Sequence, residues 1–294
     1  IENERDWSHP PFGAEIKGNR IYGRGASDMK GSLAAMVIAQ KILKDLEVDL
    51  KGDLIVNAVG DEEAGEDLGT SWCVQNVLNS LKCDFAVVGE YTRFPPLGHG
   101  ILIGEKGSLK LKFSTKGRAC HSSVPFKGMN AVTLMQEVVQ ALNTFEAGEL
   151  LGKETEEIKV LLKEHKLSEK NKDLQDAICK VTHAITRINA GVSDNVVPGT
   201  CEMTVDFRYP PGIHWEDLHK FIENFFRLKL PVLHSEDRLK IHVLSHFEPS
   251  VWNDWEGKRE ISLLSDIYAE IYGKEPFLGL FPGGADAEFF RREG

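Results

Sequence analysis

The amino-acid sequence predicts an α/β protein in which a separate α+β domain is inserted into a parallel-sheet domain. Residues 54–59 and 85–88 are almost continuously apolar and of strand length, which is typical of strands buried on both faces of a parallel sheet. Apolar residues recur at helical spacing before and between these two runs. From Gly107 onward, apolar and polar residues alternate instead, which indicates strands with one face in water.

The order of the alternating segments identifies the inserted domain as ferredoxin-like. Two helices and four strands follow one another as β-α-β-β-α-β, which is the order of a split βαβ unit. The segments are strand 109–113, helix 130–145, strands 183–188 and 201–207, helix 215–228 and strand 239–244. We therefore assign 107–246 to this domain, and 1–106 with 247–294 to the α/β domain. In the α/β domain we predict helices at 33–46, 72–81 and 261–272 and a strand at 20–22. In the inserted domain we also predict a charged helical stretch at 153–172.

Composition excludes several classes of function. The formal net charge of −10 over 294 residues does not suit a nucleic-acid-binding protein, which needs a concentrated basic face. No apolar stretch approaches the roughly 18 residues of a membrane span. The five cysteines form no CxxC pair, and their odd number favours free thiols in a reducing compartment. We expect a cytoplasmic protein without nucleic-acid or membrane partners.

Acidic residues follow the predicted strands of the α/β domain. Asp28 lies in a glycine-rich turn, the pair Glu62 and Glu63 follows the run 54–59, and Glu90 follows the run 85–88. Because the carboxyl ends of parallel strands meet at one edge of a sheet, we expect these side chains to share a cleft. Clustered carboxylates repel unless cations compensate them, and two divalent metals would do so. A single acid of this kind would be an ordinary surface residue.

A second set of polar residues lies mainly in the inserted domain. His121 occupies a short polar turn, Asn195 a second turn, and Arg208 the polar face at the end of an alternating strand. Arginine offers a planar fork that fits a carboxylate, although a structural ion pair is the more usual role. The turn at 281–286 contains Gly284, where the backbone can approach a ligand closely.

Six segments of the chain together form a recognisable set of motifs. The longest is Tyr22-Gly23-Arg24-Gly25-Ala26-Ser27-Asp28-Met29-Lys30-Gly31. The five later segments are Gly60-Asp61-Glu62-Glu63, Val88-Gly89-Glu90-Tyr91-Thr92, Gly104-Glu105-Lys106-Gly107, His121-Ser122-Ser123-Val124-Pro125 and Gly283-Gly284-Ala285-Asp286. In this order they resemble the motifs of one protein family, the dinuclear-zinc M20 metallopeptidases and deacylases, and the resemblance covers essentially the whole chain. It implies a zinc-hydrolase domain with an inserted lid and dimerisation domain.

The resemblance also implies a role for each candidate residue. Asp28 would bridge two divalent metals, zinc or else cobalt or manganese, while Glu63 and Glu90 would each hold one of them. Glu62 would be the general base, and His121 would stabilise the oxyanion from the other subunit of a homodimer. The residues implied to contact the substrate are Asn195, Arg208 and Gly284.

The activity implied is hydrolysis of the amide bond in N-acyl amino acids, N-succinyl or N-acetyl, or in short peptides. The family pattern has a His-x-Asp motif before the position of Ile1 and a histidine ligand after that of Gly294, and neither is in this sequence. Tyr91-Thr92 also replaces the commoner Pro-Thr. We therefore expect a part of a longer protein, and activity of this exact chain does not follow.

Three alternatives remain. A dipeptidase or carboxypeptidase of the same fold would carry the same motifs. A catalytically incompetent fragment could act only as a dimerisation module. A nucleotide-binding protein is disfavoured, because the turn at 23–31 matches neither Gly-x4-Gly-Lys-Ser/Thr nor Gly-x-Gly-x-x-Gly.

Overall fold

The computed structural model describes residues 4–60, 62–64, 68–77, 83–94, 98–150, 177–252, 255 and 257–292. The chain forms two compact units, which we describe separately. The first comprises Ile1–Arg93 with Ala285–Gly294, and the second comprises Phe94–Gly284. Among the described residues, the helices are all too short or too polar to cross a membrane.

The first unit is built from short strands and helices. Strands β1 (Glu15–Lys17) and β2 (Arg20–Tyr22) form an antiparallel hairpin in which Ile16 lies opposite Ile21. The predicted strand at 20–22 and the helix at 33–46 are both confirmed. Only part of the predicted helix at 72–81 lies within the described residues, as α2. The other elements are α1 (Gly31–Asp45), α2 (Thr70–Asn76), β3 (Arg93–Phe94, at the unit boundary) and α7 (Ala287–Arg292).

The two apolar runs of this unit do not form the predicted parallel strands. Residues 54–59 and 85–88 belong to no helix or strand. Leu54, Ile55 and Val87 are about half exposed, at 47%, 47% and 56%. The prediction was wrong here because apolarity is a local property, whereas a strand also needs a partner that accepts and donates its ladder hydrogen bonds.

The second unit contains the predicted four-stranded antiparallel sheet. Its strands are β5 (Gly107–Lys116), β7 (Thr182–Ala190), β9 (Thr200–Tyr209) and β10 (Leu239–Phe247). They lie in the order β10-β5-β9-β7, and chain order and sheet order together match the ferredoxin-like unit predicted from the sequence. Leu109 lies opposite Phe207 in the central pair, and Ile241 lies opposite Phe113 at one edge. The charged stretch at 153–172 lies outside the described residues.

Two helices cover one face of this sheet. Helix α3 (Ala131–Leu142) begins at Asn130, whose side chain accepts a hydrogen bond from the amide of Val132 at 2.9 Å. Helix α4 (Trp215–Lys229) has acidic residues in its first turn and basic residues in its last, as the helix dipole favours. The fully buried core includes Leu111, Phe113, Val138, Val205, Phe207, Ile222 and Phe226. The other face of the sheet carries mainly polar residues, among them Lys110, Lys112, Glu202 and Arg208.

A second sheet in this unit contains β4 (Gly98–Glu105), β11 (Ser250–Val251) and β12 (Phe277–Phe281), in the order β11-β4-β12. Strands β4 and β12 pair in parallel, and β11 pairs with β4 in antiparallel fashion. The unit therefore reaches beyond 107–246, so the predicted boundaries of the inserted domain remain a prediction. The remaining elements are β6 (Cys120–His121), β8 (Val196–Val197), α5 (Pro231–Ser235) and α6 (Arg259–Tyr272).

Candidate functional site

Asp28 lies in the glycine-rich turn between β2 and α1. Its backbone is extended, with φ −121° and ψ 101°, at a kink that also includes Met29, and the peptide bond between the two residues is cis. Gly25 has a φ of 75°, in the left-handed region that favours glycine. An open cavity of about 610 Å³ adjoins this turn and is lined by residues including Trp7, His9, Tyr22 and Ser27.

Glu90 lies close to Asp28 in the first unit. Burial raises the pKa of the Glu90 carboxyl, and the negative charges of Asp28 and Asp286 raise this pKa further. Asp286 accepts a hydrogen bond from the hydroxyl of buried Thr70, at 2.7 Å to Oδ2. Its Oδ1 atom is buried, and among the described residues none donates a hydrogen bond to it. Three carboxylates therefore converge on one region of this unit.

Glu62 and Glu63 occupy a single helical turn, Glu62–Ala64, in the same unit. Glu62 is partly buried and Glu63 is exposed. Within the described ranges, no three His, Cys, Asp or Glu side chains are arranged to hold a metal ion. The structure therefore brings Asp28 and Glu90 together without completing the predicted metal cluster. Uncompensated carboxylates repel one another, and the two predicted strands that should bring all four to one sheet edge do not pair.

The chemistry of the Asp28–Glu90 pair nevertheless suits a divalent cation. A carboxylate such as Glu90, whose ionisation is disfavoured by a neighbouring negative charge, is stabilised by a cation bound between the two groups. Carboxylate oxygens are also ligands for zinc, manganese or cobalt. Oδ1 of Asp286, to which no residue in the described part of the chain donates, adds a further buried acceptor nearby. These residues fit a metal by donor type.

His121 and Asn195 lie side by side in the second unit. Strand β6 pairs with β8, so that His121 lies opposite Val196. The amide of Ser122 also donates to the carbonyl of Asn195, at 2.9 Å. Nδ1 of His121 lies 3.2 Å from the amide nitrogen of Ser123 and 2.8 Å from its hydroxyl oxygen. Both predicted site residues are exposed, which leaves their side chains accessible to a ligand.

Arg208 lies on the polar face of β9, in an ion pair with Asp206. Nε and Nη2 of Arg208 donate to Oδ2 of Asp206, at 3.2 and 2.9 Å. Oδ1 of Asp206 accepts from the hydroxyl of Ser108, at 2.9 Å. The ring of Phe247 covers the guanidinium, with 5.5 Å between the ring centroid and Cζ of Arg208.

Gly284 packs against the same aromatic ring. A Cβ atom added to Gly284 would lie only 2.6 Å from Cζ of Phe247. The glycine is therefore required by close packing against Phe247, and through Phe247 it adjoins Arg208. His121, Asn195, Arg208 and Gly284 all belong to the second unit, and the acids belong to the first.

Lys106 is fully buried at the junction of β4 and β5. Its ammonium donates to the carbonyls of Ala177 and Lys180, at 2.7 and 2.6 Å, and to the hydroxyl of Thr182 at 3.2 Å. Burial lowers the pKa of Lys106 to about 7, and the positive charge of Arg208 contributes to this lowering. The motif residue thus ties the start of β7 to β5.

The sequence did not single out Asp206, Asp286 or Phe247 as site residues. Asp206 could have been found from its position, because residues two apart on a strand share a face and Arg208 was already a candidate. Asp286 is the last residue of the segment 283–286, which resembles a family motif. Phe247 carries no local signal, since its contact with Arg208 depends on the pairing of β10 with β5.

Comparisons with known proteins point to one family. The model of "Peptidase family M20/M25/M40" matches residues 1–294. A protein of Staphylococcus aureus (strain MRSA252) named "Probable succinyl-diaminopimelate desuccinylase" is 30% identical over 292 residues, which are 98% of this chain and 68% of that protein. "Succinyl-diaminopimelate desuccinylase" of Marinobacter nauticus is 32% identical over 207 residues, 70% of this chain and 49% of that protein.

Solved structures show a similar fold. An M20 family metallo-carboxypeptidase from Sulfolobus solfataricus has a TM-score of 0.73 at 20% identity, over 99% of this chain and 71% of that one. Human carnosine dipeptidase 1 has a TM-score of 0.71 at 18% identity, over 98% of this chain and 67% of that one.

Proposed function

The chain belongs to peptidase family M20/M25/M40, and we propose that within this family it hydrolyses N-acyl amino acids, N-succinyl or N-acetyl. As a member of this family it is a metal-dependent hydrolase of amide bonds in acyl amino acids or peptides. The finer assignment concerns the acyl group and the free carboxylate beside the cleaved bond.

Arg208 carries the proposal for a substrate with a free carboxylate. A guanidinium has two edges that can each donate two parallel hydrogen bonds to a carboxylate. Asp206 occupies the edge formed by Nε and Nη2. The edge formed by Nη1 and Nη2 would then bind the substrate carboxylate. Asn195 and the backbone of Gly284 would contact the same substrate, and the identity to desuccinylases supports the succinyl group.

The acids of the first unit would hold the metal. We assign Asp28 as the bridging ligand, and Glu63 and Glu90 as ligands of one ion each, with zinc as the favoured metal and cobalt or manganese as alternatives. Divalent ions at such a site lower the pKa of a water molecule and polarise the carbonyl of the amide. The raised pKa of Glu90 supports a site whose carboxylates need a compensating positive charge.

Glu62 would transfer the proton of the reaction, and His121 would stabilise the negative charge that develops on the substrate. Glu62 would accept the proton of the attacking water and pass it to the leaving amine, as a general base and then a general acid. His121 would donate a hydrogen bond to the carbonyl oxygen, which becomes an oxyanion when water attacks the carbonyl carbon. The exposure of His121 supports a role toward a ligand or a partner subunit.

Dimerisation and location complete the proposal. We assign 107–246 as a lid and dimerisation domain, through which two copies would pair. Among the described strands, β7 is an edge of the four-stranded sheet, and its Ile185 and Ile188 are 43% and 57% exposed. A sheet edge that no other strand covers pairs readily with a second chain. The five free cysteines suit a reducing, cytoplasmic compartment.

A substrate panel with metal added back tests the proposal. The protein, stripped of metal and then supplied with zinc, cobalt or manganese, would be assayed against N-succinyl and N-acetyl amino acids and against dipeptides. We expect turnover of the N-acyl amino acids. Cleavage of dipeptides alone would favour the dipeptidase alternative, and the absence of turnover with every metal would favour the non-catalytic module.

A further inference from the structure

Asp206 is held in one orientation by donors on both of its oxygens. Asp206 and Arg208 stand two residues apart on β9, so their side chains share the polar face of the sheet. Arg208 donates twice to Oδ2, and Ser108 on the neighbouring strand donates to Oδ1. The Asp206 side chain is only 16% exposed. Its carboxylate is therefore fixed relative to the sheet.

A second ion pair on the same face provides a comparison. Lys112 on β5 and Glu202 on β9 form this pair through one contact of 3.1 Å between Nζ and Oε1, whereas Asp206 and Arg208 both lie on β9. Their side chains are 34% and 52% exposed, and the ammonium is a point charge without a planar fork. An exposed single-contact pair of this kind contributes little to stability or orientation. The Asp206–Arg208 pair is more buried, and two donors of the guanidinium share Oδ2 of Asp206.

The guanidinium of Arg208 is constrained on its face as well as on its edge. Phe247 covers one face of the guanidinium, and its carbonyl oxygen accepts a hydrogen bond from Tyr209 at 2.9 Å, which fixes the backbone there. No described residue accepts a hydrogen bond from Nη1. The edge that points away from Asp206 is thus presented in a defined direction.

We propose that Asp206, supported by Ser108, is a positioning residue that orients the outer edge of Arg208 and so determines selectivity for substrates with a free carboxylate. This inference rests on the proposed role of Arg208 in substrate binding. A long arginine side chain loses much rotamer freedom when it binds a carboxylate, and prior immobilisation by Asp206 removes that loss from the binding step. Asp206 and the substrate would bind adjacent edges of the guanidinium, whose positive charge compensates both carboxylates, so the repulsion between the two carboxylates is the smaller effect.

The test compares matched substrates and matched variants. An N-acyl amino acid and its carboxamide analogue would be assayed with the wild type, Asp206→Asn, Asp206→Glu, Ser108→Ala and the control Glu202→Gln. Both Asp206 variants should raise KM for the carboxylate substrate about tenfold or more, with kcat changed little, and should leave the carboxamide almost unaffected. Ser108→Ala should show a smaller change in the same direction. Glu202→Gln should match the wild type.

Each outcome decides a different point. Asp206→Glu keeps the charge but moves the carboxylate by one methylene, so wild-type KM in this variant would show that only charge matters and would overturn the proposal. A lower KM in Asp206→Asn would identify Asp206 as a repulsive charge instead. A wild type that hydrolyses both substrates equally well would refute the role of Arg208 and this inference with it. Thermal unfolding of all variants verifies that they are folded, and Ser108→Ala, which alters neither charge, still tests the idea if the Asp206 variants do not fold.

Discussion

The backbone N–H of Ser123 donates a hydrogen bond to Nδ1 of His121, with 3.2 Å between the two nitrogens. A backbone N–H can only donate, so Nδ1 must be the accepting nitrogen of the neutral ring. The proton of the neutral imidazole is therefore carried by Nε2. The Ser123 hydroxyl, 2.8 Å from the same Nδ1, can donate to it as well. This tautomer makes Nε2 the donor that the proposed oxyanion contact requires.

We predict that neutral His121 exists as the Nε2–H tautomer. Long-range proton–nitrogen correlation spectra of labelled protein, recorded at mildly alkaline pH, report the tautomer directly. His121→Gln assigns the signals. Ser123→Ala removes the hydroxyl but keeps the backbone donor, so the tautomer should persist. Spectra with the proton on Nδ1 would contradict the hydrogen bond, whatever the enzyme's activity.

The acidic residues should separate into a base and metal ligands. Glu62→Ala should retain the metal content of the wild type and lower kcat by about 10²–10⁴, the usual range for loss of a general base. Glu63→Ala and Glu90→Ala should lose metal, because each removes a proposed ligand. Metal analysis and steady-state kinetics on the same preparations distinguish the two groups. Normal turnover in all three variants would mean that the roles are wrongly assigned.

Local sequence predicted the helices and the antiparallel sheet, because both leave periodic patterns. Helix α1 and strand β9 were found from spacing alone. Strands β4 and β12 were not predicted, since glycines interrupt the apolar pattern of β4. Gly100 and Gly104 are there because a Cβ at either position would overlap a side chain of β12. Such a reason becomes visible only once the pairing is known.

The candidate site was predicted unevenly for the same reason. Asp28, Glu62, Glu63, Glu90, His121 and Gly284 lie in segments that resemble family motifs, whereas Asn195 was named from a turn and Arg208 from the polar face of a strand. The proximity of Asp28 to Glu90 agrees with their predicted places at the ends of elements. Contacts between separate strands, such as Phe247 with Arg208, depend on long-range pairing that local sequence does not encode. The runs 54–59 and 85–88 failed on the same point, because nothing in their composition specifies a partner strand.

Lys106 should make the stability of the protein depend on alkaline pH. Its pKa is about 7 in the folded protein and 10.5 in its ordinary state. Between these values the unfolded chain binds a proton that the folded chain does not, so the free energy of unfolding rises with pH, by up to about 1.4 kcal/mol per pH unit. Below pH 7 this contribution is constant.

Urea denaturation across this window measures the effect as a difference between variants. Lys106→Met should lack the rise, although it will be less stable at high pH because the carbonyls of Ala177 and Lys180 lose their donor. Lys110→Met, on an exposed position of the same strand, is the control and should keep the wild-type slope. Parallel pH profiles for Lys106→Met and the wild type would show that Lys106 is charged in the folded protein.

Gly284→Ala should weaken substrate binding through Phe247. The added Cβ would lie 2.6 Å from Cζ of Phe247, so the ring must move away from its place over Arg208. We expect KM for a carboxylate substrate to rise several-fold, with a smaller effect on kcat. Gly52→Ala is the matched control for stability, because a Cβ there would meet no described atom within 4 Å and its φ is not in the left-handed region. Unchanged KM in Gly284→Ala would mean that Phe247 does not support Arg208.

The proposed dimer predicts complementation between two inactive variants. If His121 acts in the site of the partner subunit, a heterodimer of His121→Ala and Glu62→Ala contains one intact site, formed by Glu62 of the first chain and His121 of the second. Random exchange at equal concentrations makes half of the dimers mixed, so roughly a quarter of wild-type activity should return. Each variant alone, taken through the same exchange, is the control. Subunit exchange demonstrated by labelled chains, without any recovery of activity, would place His121 in its own subunit's site, and a fully active monomer would exclude the shared site altogether.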